Sequence, residues 1–147
     1  MLPRQGRRLL QVGVAVFLFT SFEGFAIPYL AAPRLGLSVH TLSALVGVLL
    51  LAMGLLWPKL NLTPTMSMVA FWLLIYSALA IVAAFSLGAI WGAGNSTMPL
   101  AAGSAHGSAL QELTIKVVAY SSAPTGIISF VLILWGLRFV EPTSRGG

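Results

Sequence analysis

Apolar residues fill four stretches of the chain, at about 9–32, 41–57, 66–91 and 113–138, each close to the roughly 20 residues a helix needs to cross bilayer hydrocarbon. The pattern predicts an all-α, polytopic membrane protein: one membrane domain over 1–147, built as a four-transmembrane-helix bundle. Helix breakers fall between the stretches. Pro33 with Gly36 closes the first, Trp57 and Pro58 close the second, and Pro64 precedes the third. The first stretch follows Arg4, Arg7 and Arg8, as a signal peptide would. It is too long, however, and lacks a small-residue cleavage pattern before Pro28 and Tyr29, so it is expected to remain as a helix. The third connection, GAGNSTMPLAAGSAHGSALQ from Gly92 to Gln111, carries Asn95 and His106 but no formal charge, and reads as a flexible tether or a lid. No repeat of fixed period appears.

Composition sharpens this picture. The 147 residues are 58% apolar and 7% charged, against about 25% charged in soluble domains, which excludes an ordinary soluble globule. The eight Lys and Arg and the net charge of +5 suggest nucleic acid at first sight. They are scattered in ones and twos, without the basic stripe that phosphate binding requires, and read instead as membrane topology. Placing Arg4, Arg7, Arg8, Lys59, Arg138 and Arg145 on one side leaves only Arg34 and Lys116 for the other, so both termini are expected in the cytoplasm, N-in and C-in. Trp57, Trp72, Trp91 and Trp135 fall where aromatic belts are expected. The absence of cysteine excludes disulfides, thiolate zinc sites and cysteine nucleophiles.

An ionisable side chain inside a bilayer needs a partner or a role. Glu23 lies in the first helix short of its outer end, and Glu112 and Lys116 start the fourth. His40 opens the second helix behind Ser38, which can cap it, so these groups converge on the outer half. Glu112, Lys116 and Tyr120 are spaced i, i+4, i+8 and form one polar stripe, with Pro124 a turn further on. The stripe is either a local ion pair with a snorkelling lysine, or a face on which Glu112 or Tyr120 orients a small substrate or moves its proton. His40 is either a hydrogen-bonded interfacial residue or a nitrogen ligand for iron or another transition metal, and His106 is far away in sequence. Ala80, Ala84, Gly88 and Gly92 form a small-residue stripe that admits a close helix neighbour, from the same chain or from a second copy in a homo-oligomer. No phosphate loop, Ser-His-Asp set or paired carboxylates are present.

Across RRLLQVGVAVFLF (7–19), GFAIP (24–28), APRLGLSVH (32–40), LLWPKLNL (55–62), FWLLIYSALA (71–80), WGAG (91–94), MP (98–99), HGSALQE (106–112) and LWGLR (134–138), the chain resembles the bacterial hydroxylaminobenzene mutases. These are small membrane isomerases that convert an arylhydroxylamine to an aminophenol. The segment from His40 to Pro58, with Gly47, is also similar to the second helix of styrene oxide isomerase. That resemblance implies haem b near the subunit interface of a trimer, with His40 as the axial iron ligand. Ferric iron would then act as a Lewis acid on an N-hydroxyl or epoxide oxygen, with no net redox change. Both families carry an asparagine where this chain has Val46. The mutases favour a glutamate where Leu42 stands, and the epoxide isomerase's tyrosine falls at Val82, with Tyr76 six residues earlier.

The reading that follows is an integral-membrane isomerase for a small apolar oxygenated substrate entering from the bilayer. His40 is the expected haem-iron ligand, with Tyr76, Glu112 and Tyr120 as candidates for orientation or proton movement. Two other classes remain open: a small proton-coupled transporter or channel working through Glu23, and a non-catalytic membrane scaffold.

Overall fold

A computed structural model of the protein describes residues 3–138; Arg145, one of the charges used for topology, lies outside them. Five helices follow one another: α1 (Arg4–Ala26), α2 (Pro33–Leu56), α3 (Pro64–Trp91), the short α4 (Pro99–Ala102) and α5 (Ala109–Gly136). All but α4 are long and apolar enough to cross a membrane. Hydrocarbon offers backbone groups no hydrogen-bond partner, so a spanning segment satisfies its own N–H and C=O groups by forming a helix.

Prolines set the boundaries, in one place against expectation. Pro33 opens α2 rather than closing the first helix. The first helical position requires no N–H, and the proline ring presets the right φ. α1 stops earlier, at Ala26, and the chain passes through a single 3₁₀ turn at Ile27–Tyr29 that contains Pro28, a residue with no N–H to extend the α-helical ladder. His40 therefore sits about two turns inside α2, not at its mouth. Ser38 is no cap, since its hydroxyl donates to Arg34 O at 3.2 Å.

The long helices run antiparallel as two hairpins, α1 with α2 and α3 with α5, and α2 meets α3 between them. Lipid gives apolar helices no hydrophobic reason to associate, so close packing and hydrogen bonds must hold them. The α1–α2 seam uses packing. A Cβ on Gly6 would stand 2.8 Å from Gly54 O, and one on Gly13 would stand 3.1 Å from Gly47 O, so the two backbones nearly touch. The α3–α5 seam uses hydroxyls, with Ser129 Oγ donating to Ala70 O and Ser77 Oγ to Ser122 O, both at 2.8 Å. The second bond lies beside Pro124, where the α5 ladder loses a donor.

The small-residue stripe on α3 packs within the chain. Ala84 is fully buried among Leu35 and Val39 of α2 and Ile115 and Ala119 of α5, and a Cβ on Gly88 would meet Leu35. Trp57 also departs from its expected belt position. It is buried against Phe71, and its indole N–H donates to Gln5 Oε1 at 2.9 Å, while Trp72 and Trp135 remain exposed.

The connection from Gly92 to Ser108 is packed onto the bundle rather than a flexible tether. Gly92 ends α3 in the left-handed conformation with φ 63°, and Ala93, Met98 and Ala102 are buried in the core. Ser108 then starts α5 with a capping box completed by Gln111. The described basic residues divide between the two ends of the helices. Arg4, Arg7, Arg8, Lys59 and Arg138 lie at one end, and Arg34 and Lys116 near the end closed by this segment.

Gly54→Ala brings a methyl group 2.9 Å from Gly6 O at a point where backbone must move, and is expected to cost about 1–3 kcal/mol. A lower thermal unfolding midpoint in detergent measures it; an unchanged midpoint would show that the seam has slack.

Candidate active site

Glycines of the α1–α2 seam recur every seven residues, at 6 and 13 on α1 and at 54 and 47 on α2. Continuing both registers leads to Thr20 and His40. The Thr20 hydroxyl donates to Ser43 Oγ at 2.8 Å, and Ser43 passes its own proton to Val39 O at 2.7 Å. One turn further, His40 occupies the seam position that glycine fills below it. The imidazole fits because α1 offers Gly24 there, where a Cβ would come 3.0 Å from His40 Cε1.

His40 Nδ1 lies 3.3 Å from Glu23 Oε2. The approach is a close polar contact rather than an aligned hydrogen bond, so Nδ1 and both carboxylate oxygens are buried without a well-directed partner. Exposure is unequal: 9% for the Glu23 side chain and 41% for His40. Because Nδ1 is sealed against Glu23, the exposed part of the ring is the opposite edge, which carries Nε2.

Glu23 also borders a cavity of about 310 Å³ between α1 and α3, floored by Val39 and Ala89. Phe22 and Ile90, both more than half exposed, stand at its mouth, and Ser86 is its other polar lining residue. A groove of about 510 Å³ continues it along the same two helices, sharing Phe19 and Ser86. A histidine, a carboxylate and an apolar chamber thus meet at one point inside the membrane-spanning part of the protein.

Comparison with known proteins bears on what such a site serves. The family model described as styrene oxide isomerase matches residues 5–138. The chain belongs to the styrene oxide isomerase family. It is 43% identical to hydroxylaminobenzene mutase HabB of Ectopseudomonas oleovorans over 132 residues, covering 90% of this chain and 80% of the relative. It is 33% identical to hydroxylaminobenzene mutase HabA of the same organism over 129 residues, covering 88% and 96%. No solved structure matches it. The family and these relatives are isomerases and mutases, so this chain is a multi-pass member of a family of membrane isomerases.

In this styrene oxide isomerase family member, the other candidates lie apart from His40. Glu112 holds the 92–108 segment: its carboxylate accepts from Gly94 N at 2.7 Å, Ser96 N at 3.2 Å, Ser96 Oγ at 2.6 Å and Gly107 N at 3.1 Å. Four donors on one carboxylate make a structural clasp. Lys116 turns instead to Tyr120, with its Nζ 5.8 Å from the ring centroid, and the ring is exposed. Tyr76 OH shares a 2.7 Å hydrogen bond with Ser121 Oγ on the α3–α5 face. Among the described residues, none of Tyr76, Glu112, Lys116 and Tyr120 hydrogen-bonds to His40 or Glu23. His106 is exposed in the loop, and Val46 and Val82 are buried together in the apolar core with Leu74.

The partner of His40 is thus Glu23, the residue set apart for the transport reading. One signal for it was present in the sequence, since the heptad of small residues along α1 and α2 predicts an antiparallel seam that puts Thr20 level with His40, and positions 23–24 lie one turn further along α1.

Glu112→Ala removes acceptors of charge-assisted hydrogen bonds, each worth about 1.5–3 kcal/mol. Hydrogen exchange is expected to accelerate at Gly94, Ser96 and Gly107, with the amides around His40 unaffected. Unchanged protection in the loop would remove the clasp assignment.

Proposed function

We propose that the protein is a membrane mutase that rearranges an arylhydroxylamine to an aminophenol, with His40 as the single protein ligand of a ferric haem b. The observation that carries this reading is the His40–Glu23 pair. A metal-bound histidine characteristically hands its other ring N–H to a carboxylate, which sets the tautomer and strengthens the ligating nitrogen. Here Glu23 stands at Nδ1 and leaves Nε2 at the exposed edge. Among the described residues there is no cluster of three or more His, Cys, Asp or Glu side chains around His40, and the haem is what the resemblance to styrene oxide isomerase implies. Gly24 supplies the clearance that lets the ring lie flush on α1, and Leu37, exposed one turn before His40, offers apolar surface.

Ferric haem, when bound, supplies a Lewis acid for the substrate's oxygen. The chain's own contributions are mechanical and electrostatic. His40 would hold the iron through Nε2, Glu23 packed 3.3 Å from Nδ1 would keep the ring from turning, and the surrounding apolar side chains would exclude water from the site. Nε2 faces out of the protomer, where a second copy of the chain would supply the far wall of the site. That agrees with a homotrimer, the assembly implied by the resemblance. The likeness to two hydroxylaminobenzene mutases favours an N-hydroxyl over an epoxide substrate.

Protein purified from membranes is expected to show a Soret band and to convert hydroxylaminobenzene to an aminophenol, and His40→Ala is expected to lose both. Colourless wild-type protein that still turns over would remove the haem and leave the mutase. Colourless protein without turnover would remove both.

The orientation within a bacterial inner membrane, N-in and C-in, follows from the distribution of arginine and lysine between the two helix ends. A chain without cysteine makes this directly measurable. Ser104→Cys is expected to react with membrane-impermeant maleimide from the periplasmic side, and Lys59→Cys to be protected in intact cells. The reverse pattern would invert the topology.

A further inference from the structure

Three arginines at the basic end of α1 stand beside an apolar crevice that opens to the bilayer. We propose that the two features form one binding site for an anionic phospholipid of that leaflet, with its head group on the arginines and an acyl chain in the crevice. The site is independent of the mutase reading. Arg4, Arg7, Arg8 and Gln11 are spaced i, i+3, i+4 and i+7, share one helix face and line a recess of about 350 Å³. All four are exposed. Their direction is fixed from the opposite face, where Gln5 accepts from Trp57 Nε1 at 2.9 Å and from Ser67 Oγ at 2.7 Å, Gly6 abuts Gly54, and Leu9 is fully buried. A guanidinium is a permanently charged fork that matches the oxygens of a phosphate, and three on one fixed helix face make an anion receptor rather than a diffuse charge.

The crevice begins where the arginines end. α1 and α3 scarcely touch, because each packs on a different neighbour, and the groove of about 510 Å³ runs between them. Val12, Ala15, Val16 and Phe19 line it from α1, with Leu79 and Ala83 facing them from α3. Ser86, the one hydroxyl among its lining residues, is spent on Val82 O at 2.8 Å. Arg8, Ala15, Phe19 and Phe22 follow one another along a single exposed ridge, so the recess and the groove are parts of one face. From Arg8 to Phe19 the helix rises about 16 Å, close to the depth of one leaflet's hydrocarbon, so a chain anchored at the arginines reaches the far end of the groove.

Charge selects the occupant. Glu23 and Glu112, the acids among the described residues, both lie toward the opposite end, whereas the basic end carries Arg4, Arg7, Arg8, Lys59 and Arg138. A second copy set side by side in the same orientation brings more cations to this face and no anion. A zwitterionic lipid brings an ammonium group along with its phosphate, which cancels most of the attraction. A soluble phosphate ester meets the arginines and leaves the groove unfilled. A phospholipid of net negative charge satisfies both parts together, the arrangement that basic clusters at a helix's membrane edge favour.

The test is native mass spectrometry of the full chain, delipidated in detergent and titrated with dioleoylphosphatidylglycerol or dioleoylphosphatidylcholine. Each arginine near a membrane surface contributes about fivefold to anionic-lipid affinity, so wild type is expected to bind phosphatidylglycerol about tenfold or more tightly than phosphatidylcholine. Arg7→Gln and Arg8→Gln are each expected to lower that preference about fivefold, and either one that folds suffices. Lys59→Gln and Arg138→Gln remove charge at the same end but outside the recess, and are expected to leave the preference within about twofold of wild type. Ala15→Phe and Ala83→Phe fill the groove from different helices and are expected to weaken phosphatidylglycerol binding; again one that folds suffices. Glycerol 3-phosphate, which has the charge without the chains, is expected not to displace the lipid. Equal binding of the two lipids by wild type, or a preference lowered as much by Lys59→Gln and Arg138→Gln as by the α1 variants, would reduce the arginines to general surface charge and overturn the site. Displacement by glycerol 3-phosphate would overturn the lipid as occupant. Lipid binding untouched by the filling variants would overturn it too, and loss of oligomer in those variants would then give the groove to a second copy.

Discussion

Two backbones in near contact govern this protein. Where Gly6 faces Gly54 and Gly13 faces Gly47, α1 and α2 approach until a single added carbon would collide with a main-chain oxygen. In water such a seam would be one contribution among many, behind the burial of apolar side chains. In lipid it carries more, because the hydrocarbon already satisfies those side chains and only better packing favours helix on helix. The heptad repeat of the seam also fixes the antiparallel register. That register brings the outer turns of the two helices together, and about a turn beyond Thr20 His40 lies against Gly24 and within reach of Glu23.

Two glutamates show opposite solutions to the same cost. Glu112 lies at the start of α5 and collects four donors from a loop that folds back over it, which makes the carboxylate a fastening. Glu23 lies deeper, with one polar contact 3.3 Å away and both oxygens buried beside an apolar chamber. A fully satisfied carboxylate is chemically quiet. One left short of partners in a low-dielectric setting retains its attraction for whatever donor arrives, and that separates a structural acid from one suited to a site.

The stripe of Glu112, Lys116 and Tyr120 illustrates how far local spacing reaches. Residues four apart do share a helix face, and the structure keeps them on one. Nothing in that spacing says what lies across from the face. Glu112 meets backbone N–H groups of a segment whose return path depends on the αL turn at Gly92 and on the burial of Ala93, Met98 and Ala102. Trp57 fails as a belt residue for the same reason. Its place near a helix end is local, whereas its burial against Phe71 and its bond to Gln5 depend on which helices are neighbours.

Span number, helical character and the separation of basic residues between the two ends were legible in the chain alone. Each is a sum over single residues: transfer of side chains into hydrocarbon, and backbone hydrogen bonds closed within a segment. His40 too stood out, because an ionisable side chain in such a sequence is rare. Its partner did not, although Glu23 was equally visible. Pairing them requires the offset between two helices, and that offset is set by interlocking shape along the whole seam, where shifting one helix by a single residue would turn Glu23 away from His40 and close the clearance at Gly24. Contacts of this kind have no counterpart in composition or in spacing along one helix, so only the folded chain decides them.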